Sequence, residues 1–262
     1  LLMNVHGVEN YKACATSAMR EASNGLEIIE KIYQKTDVKI NIISGKEEAE
    51  IISSTEVKIV AITNHNVFDL KQYEEFVATV DDDFQIWPGV ELDVHGNGRR
   101  GHLIVIVSPE RASDLQATIE AVSGNDSPDE FSILIKDVVS KFDQLNPIYI
   151  AHYMGKKPDL LDEDIEYIAN NTAHKNRVLK EASNAVSAGI FINHGHNSIY
   201  GSDVRIWENY QQFSKNLPDL RLPVESFEQF CLLLDKDSIA IDTLLNKKHP
   251  EIISIKPFKD DL

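Results

Sequence analysis

Several short apolar runs in this chain end on, or open with, a residue able to hold a metal ion. Val57 to Thr63 (VKIVAIT) delivers Asn64, His65 and Asn66. Trp87 to Val94 carries Glu91 behind Pro88-Gly89, and Gly101 to Val107 has His102 at its entrance. Pro147 to Ala151 ends in His152, and the segment Arg177 to Ser183 places Glu181 at a further strand end. Imidazole and carboxylate together suit Mn²⁺, Zn²⁺ or Fe ions. Metals of this kind polarise phosphoryl and carbonyl oxygens and activate water.

Such ligands need rigid elements to aim them. A short apolar run closing in a polar cluster reads as a buried parallel strand. In barrel-like α/β folds, sites assemble where strands end. Helical segments are expected between the runs. Ala112 to Val122 and Phe131 to Phe142 show three- and four-residue apolar spacing. Asp162 to Asn171 reads as an acidic helix solvated on one face, and Ser226 to Leu234 as amphipathic. Trp207 to Phe213 starts another helix, and Ser123 to Asp129 is a loop by composition. Glu91 is expected just after a Pro-Gly turn. His95, His174 and His249 read as solvated. His194-Gly195-His196 is either a ligand pair on an extended segment or a surface loop.

Bulk properties narrow the function classes. With 262 residues the chain can bury a large core. Its net charge of −16, from 42 acidic and 26 basic residues, argues against extended binding to a nucleic-acid backbone. A small anionic substrate at a metal site stays compatible, because bound cations reverse the local field. Cys14 and Cys231 form neither a zinc cluster nor a disulfide framework, which points to a reducing, cytoplasmic setting. The N-terminal residues lack a signal-peptide core, and no run is long enough for a membrane span.

The motifs Thr63-Asn64-His65-Asn66, Pro88-Gly89-Val90-Glu91 and Gly101-His102 resemble, in order, those of the PHP (polymerase and histidinol phosphatase) family. The resemblance covers residues 57–262 and is closest to the PHP modules that precede an ATPase in TrlF-like bacterial proteins. It implies a distorted (β/α) barrel from about residue 55, holding two or three divalent ions that act on a phosphoester. Carried over, the metal ligands are His65, Glu91, His102, His152 and Asp203, with Glu91 bridging. The catalytic group is Glu91, Asp203 and Arg205. Asp203 matches the Asp of a late Ser-Asp-x-His motif, and Arg205 stands where that motif has its last His. Arginine offers a metal no lone pair but can grip a phosphate in two places. The family's opening His-x-His is absent, since His6 stands alone, and Asn64 replaces the usual Asp. The implied substrate is a small phosphorylated molecule, with a nucleotide or a nucleic-acid end among the options. The resemblance also implies an ATPase, as a separate partner or as a missing domain, because no P-loop occurs in this sequence.

Residues 1–54 read differently. Tyr11 to Ser17, Ala18 to Lys35 and Val38 to Ile43 give strand, helix and strand, and a second helix begins at Glu47 behind Ser44. Ala15 to Ala22, Asn24 and Ile43 to Ala49 resemble the Ppx/GppA exopolyphosphatase/guanosine pentaphosphatase family, whose fold is actin-like. That resemblance implies Ser17 and Arg20 near a phosphate chain, and Glu47 or Glu48 at the attacking water. The flanking phosphate loops of the family are absent from this sequence. Three readings follow: a metal-dependent phosphoesterase, a catalytically degenerate module that binds a phosphorylated ligand or partner, and a polyphosphate or pppGpp phosphatase.

Overall fold

A computed structural model describes residues 13–15, 23–36, 38–42, 44, 57–81, 84–96, 99–201, 224–237 and 239. Near the N-terminus, β1 (Ala13–Ala15) and β2 (Ile40–Ile42) pair in parallel around α1 (Gly25–Thr36). This is the expected strand-helix-strand order, and residues 18–22 of the expected helix lie outside the described residues. Leu26 on α1 is 76% exposed.

The main body is mixed α/β, with a sheet curled into an open half-barrel. Its path is β3 (Ile59–His65), β4 (Gln85–His95), β5 (Arg100–Ile106), β7 (Ile148–His152), β8 (Val178–Ala182) and β9 (Ser198–Tyr200). The short β6 (Ile133–Leu134) pairs with β4 off this path. β5 runs antiparallel to both β4 and β7, and the other neighbours on the path are parallel. The start of β5 therefore lies at the same edge as the ends of β3, β4 and β7.

Side chains alternate across a strand, so each strand serves two faces. Val90, Leu92 and Val94 of β4, Leu103 and Val105 of β5, and Tyr149 and Ala151 of β7 are fully buried in the larger core. Helices cover that face: α2 (Leu70–Val77), α3 (Ala112–Ser123), α4 (Ile135–Phe142), α5 (Asp162–Asn171) and α6 (Ala185–Asn193). The alternate residues Trp87, Ile106, Ile148, Ile150 and Leu179 form a second, smaller cluster. It is capped by Phe227 and Cys231 of α7 (Phe227–Leu234). Trp87 meets Phe227 edge-on at 5.2 Å between ring centroids. Arg177 anchors the end of α7 through its Nε, 3.0 Å from Asp235 Oδ2. Continuing the alternation past Trp87, Ile104 and Ile150 leads to Glu91, Asp93, His102 and His152. A one-residue slip of β4 would push these carboxylates into the apolar layer, at several kcal/mol for each.

Helix ends follow the sequence. Asp69, Asn184 and Ser226 each accept a backbone N–H of the first turn, capping α2, α6 and α7. Two expectations are corrected. Pro88-Gly89 is no turn but lies within β4, where the Pro88 carbonyl accepts the Val107 N–H at 3.0 Å. Gly89 belongs there because a Cβ would come within 3.0 Å of Thr63 Cγ2 and of the Val105 carbonyl oxygen. The helix expected from Phe131 starts only at Ile135, after β6 has paired with β4. Helix α6 was not anticipated, because its sequence AVSAGIFIN is apolar on every side and shows no periodicity. Among the described residues, no helix is long and apolar enough to cross a membrane.

Candidate metal centre

The strand register lines the candidate ligands up along one edge. His65 pairs with Glu91 across β3 and β4. Asp93 faces His102 across β4 and β5, and His152 pairs with Glu181 across β7 and β8. The row therefore runs His65, Glu91 with Asp93, His102, His152, Glu181. Its rings are close, with centroids 5.3 Å apart for His65 and His102 and 5.1 Å for His102 and His152.

His102 is the hinge of the row. Its Nδ1 touches a Glu91 oxygen, and its Nε2 lies 2.9 Å from Asp93 Oδ1. Asp93 Oδ1 also lies 3.4 Å from His65 Nε2. Two groups result whose ligand atoms fall within 4.8 Å of one another: His65, Asp93 and His102, and Glu91, His102 and His152. Both contain His102. His102 Nδ1 and His152 Nδ1 are buried without a hydrogen-bond partner. The Nδ1 approach to Glu91 is thus close without hydrogen-bond geometry. Imidazole and carboxylate groups converging in this way form a donor set that a divalent cation can use.

The electrostatics agree. Burial opposes a charge on Glu91, yet the contact with His102 and the nearby His152 and His65 outweigh it and hold its carboxyl below the usual range. Burial likewise opposes a charge on His102, but Glu91 and Asp93 push its pKa above the ordinary histidine value.

A structural clamp fixes this geometry from behind. Asn66, 2% exposed, adopts a left-handed conformation with φ 56°, which asparagine tolerates better than most residues. Its backbone N–H donates to the Glu91 carbonyl at 2.7 Å. Its side-chain oxygen accepts the Asp93 N–H at 2.7 Å. Its amide donates to the Pro128 carbonyl at 2.8 Å and the Phe131 carbonyl at 3.2 Å. Asn66 thus sets the β4 backbone between the two carboxylates without facing the metal position itself.

The structure brings together His65, Glu91, His102 and His152. Asp203 and Arg205 lie outside the described residues, as do Ser17, Arg20, Glu47 and Glu48. Asn64 turns away and donates its side-chain amide to Gln72 Oε1 of α2 at 2.8 Å, so an aspartate at 64 would face Gln72 rather than the row. His194 and His196 are exposed after α6. His95 is not simply solvated but lies 2.8 Å from Ser132 Oγ. His174 Nδ1 lies 3.7 Å from Asp235. Asp93 was missed from sequence. Its signal was its place two residues after Glu91 on one strand, which puts both on the same face.

Comparison with known proteins places residues 1–70 in a match to the model of the Ppx/GppA phosphatase family. The match ends at Leu70, the first residue of α2. Among solved structures, a candidate metal-dependent phosphoesterase from Bifidobacterium adolescentis ATCC 15703 is similar at 10% identity, with a TM-score of 0.44. The likeness covers 68% of this chain and 92% of that one. No curated protein matches.

Proposed function

We propose that this chain is a metal-dependent phosphoesterase whose ion-binding groups are His65, Glu91, Asp93, His102 and His152. The observation that carries the reading is the convergence of half-buried His102 on Glu91 and Asp93, with His65 and His152 beside it. Imidazole and carboxylate donors fit Mn²⁺, Zn²⁺ or Fe. When bound, such ions would activate water and neutralise charge on the phosphate. Glu91 and Asp93 would compensate the ions' charge from one strand, and the three histidines would fix their positions. Asp203 and Arg205 keep the roles that the PHP resemblance implies: a further ligand and a phosphate grip. The substrate class is a small phosphoester, and the TrlF-like resemblance adds an ATPase as partner.

Residues 1–54 are read as a Ppx/GppA-like fragment ahead of the phosphoesterase domain. The family match runs on to residue 70, but β3 pairs with β4 from Ile59 to His65. We therefore keep the division before β3.

The test is hydrolysis of bis(p-nitrophenyl) phosphate and p-nitrophenyl phosphate by the purified chain with Mn²⁺ or Zn²⁺. Metal-dependent release of nitrophenol is expected, and it should disappear with chelator. Metal uptake without hydrolysis of either ester would favour the degenerate binding module instead.

A pH dependence follows from the ligands. His102, its pKa raised, contributes stability below its unfolded value of about 6.5 that is lost as pH rises through the folded value. Glu91, its pKa lowered, contributes stability above its unfolded value of about 4.5 that is lost as pH falls through the folded value. The metal-free pair is therefore most stabilising between these two unfolded values. A metal needs the His102 lone pair and must displace its proton. The Mn²⁺-induced rise in melting temperature, read by scanning fluorimetry, should be larger at pH 8 than at pH 5.5. An equal rise at both would remove His102 from the ligand set.

A further inference from the structure

The sheet face that carries the ligand row continues past it. On β4, Glu91, Asp93 and His95 alternate with the buried Val90, Leu92 and Val94, so all three share one face. On β5, Arg100 precedes His102 by two residues and shares its face in the same way. The register joins the two strands. Asp93 faces His102, and one two-residue step further, about 7 Å along the strands, His95 faces Arg100. Ser132 Oγ lies 2.8 Å from His95 Nδ1, which holds the ring and leaves Nε2 for a ligand. The two neighbouring arginines divide between the faces. Arg99 lies on the opposite one and forms an ion pair with Asp159. Arg100 is exposed, and among the described residues its guanidinium has no ion pair or hydrogen bond.

We propose that Arg100 and His95 form an anion subsite that holds a second acidic group of the substrate, one strand step from the phosphoryl group at the ligand row. This rests on the phosphoesterase reading and deepens it by naming the substrate class. The substrate is a phosphoester whose non-reacting part carries a carboxylate or a further phosphate. A guanidinium presents a planar fork of donors that matches either group in two places. The imidazole adds a donor from the facing strand. Both residues sit on paired strands, which hold a site more accurately than a loop does. The subsite therefore selects on the spacing between the two acidic groups. A substrate with a neutral group there leaves the guanidinium to water and gains nothing from it.

The probes are two phosphonates that resist hydrolysis, p-carboxybenzylphosphonate and its neutral amide, p-carbamoylbenzylphosphonate. They differ only in the distal group, which stands about one strand step from the phosphorus. Each is titrated calorimetrically into the full chain with saturating Mn²⁺. Wild type should bind the carboxylate about 10-fold more tightly than the amide, the scale of one charge-assisted hydrogen bond. Arg100→Met should abolish that preference, and His95→Phe should reduce it. Equal binding of the two compounds by wild type overturns the subsite. A preference left intact in either variant, with a retained circular-dichroism spectrum, overturns it as well. Arg100→Gln or His95→Gln takes the place of a variant that misfolds. Failure of both compounds to bind wild type would sink the phosphoesterase reading together with the subsite, whereas equal binding sinks the subsite alone.

Discussion

His102→Ala is expected to abolish metal-dependent hydrolysis and to weaken Mn²⁺ binding by more than about 100-fold. Loss of a partner outside the ligand shell typically costs about 10–100-fold, so a direct ligand common to both groups should exceed that range. His65 belongs to one group and His152 to the other, while His102 belongs to both. Removing it also strands Glu91 and Asp93 as neighbouring carboxylates without their shared imidazole. His65→Ala and His152→Ala should each leave one group intact and retain measurable uptake. From the motif resemblance, Glu91 would be the residue whose loss costs most, being the bridging ligand. We propose that weight for His102, which is common to both groups. Isothermal titration with Mn²⁺ across the three variants checks the ranking. Equal losses in all three would mean that His102 holds no special place.

Asn66→Ala is expected to destabilise the fold by about 2–4 kcal/mol. It removes three hydrogen bonds, one buried and two part-buried, leaving the Asp93 N–H and two carbonyls without that partner, and each such loss costs up to about 1–3 kcal/mol before relaxation. It also puts alanine at φ 56°, where a Cβ without a local polar group is disfavoured. Urea denaturation should show the lower midpoint at unchanged slope. Because Asn66 holds the backbone at Glu91 and Asp93, metal affinity should fall as well, although its side chain touches no metal position. A stable Asn66→Ala protein would show that β4 keeps its place through packing alone.

Much of the site was legible because strands advertise themselves. The runs VKIVAIT, GHLIVIV and PIYIA are apolar, short and closed or opened by a ligand, so His65, His102 and His152 stand out as strand-end ligands in the sequence. Glu91 was found for the right strand but the wrong local reason. Pro88-Gly89 has the composition of a turn, yet pairing with β3 and β5 keeps it extended. Asp93 escaped because no motif marks it and only the two-residue period of β4 shows which face it shares. The antiparallel direction of β5 was also hidden, since a strand's sequence does not state its direction. His102 at the start of an antiparallel strand and His152 at the end of the next one reach the same edge only through that pairing. Helix α6 and the Asn66 clamp depend on tertiary partners and leave no periodic trace.

This row of side chains is expected to bind divalent metal. The most direct measurement is titration of chelator-treated protein with Mn²⁺, followed by loss of the free-ion electron paramagnetic resonance signal. Stoichiometric uptake by wild type, abolished in His102→Ala at the same concentrations, is the predicted result. A free-ion signal that grows in wild type as it does in buffer would contradict the account, and uptake that persists in the folded His102→Ala protein would contradict it equally.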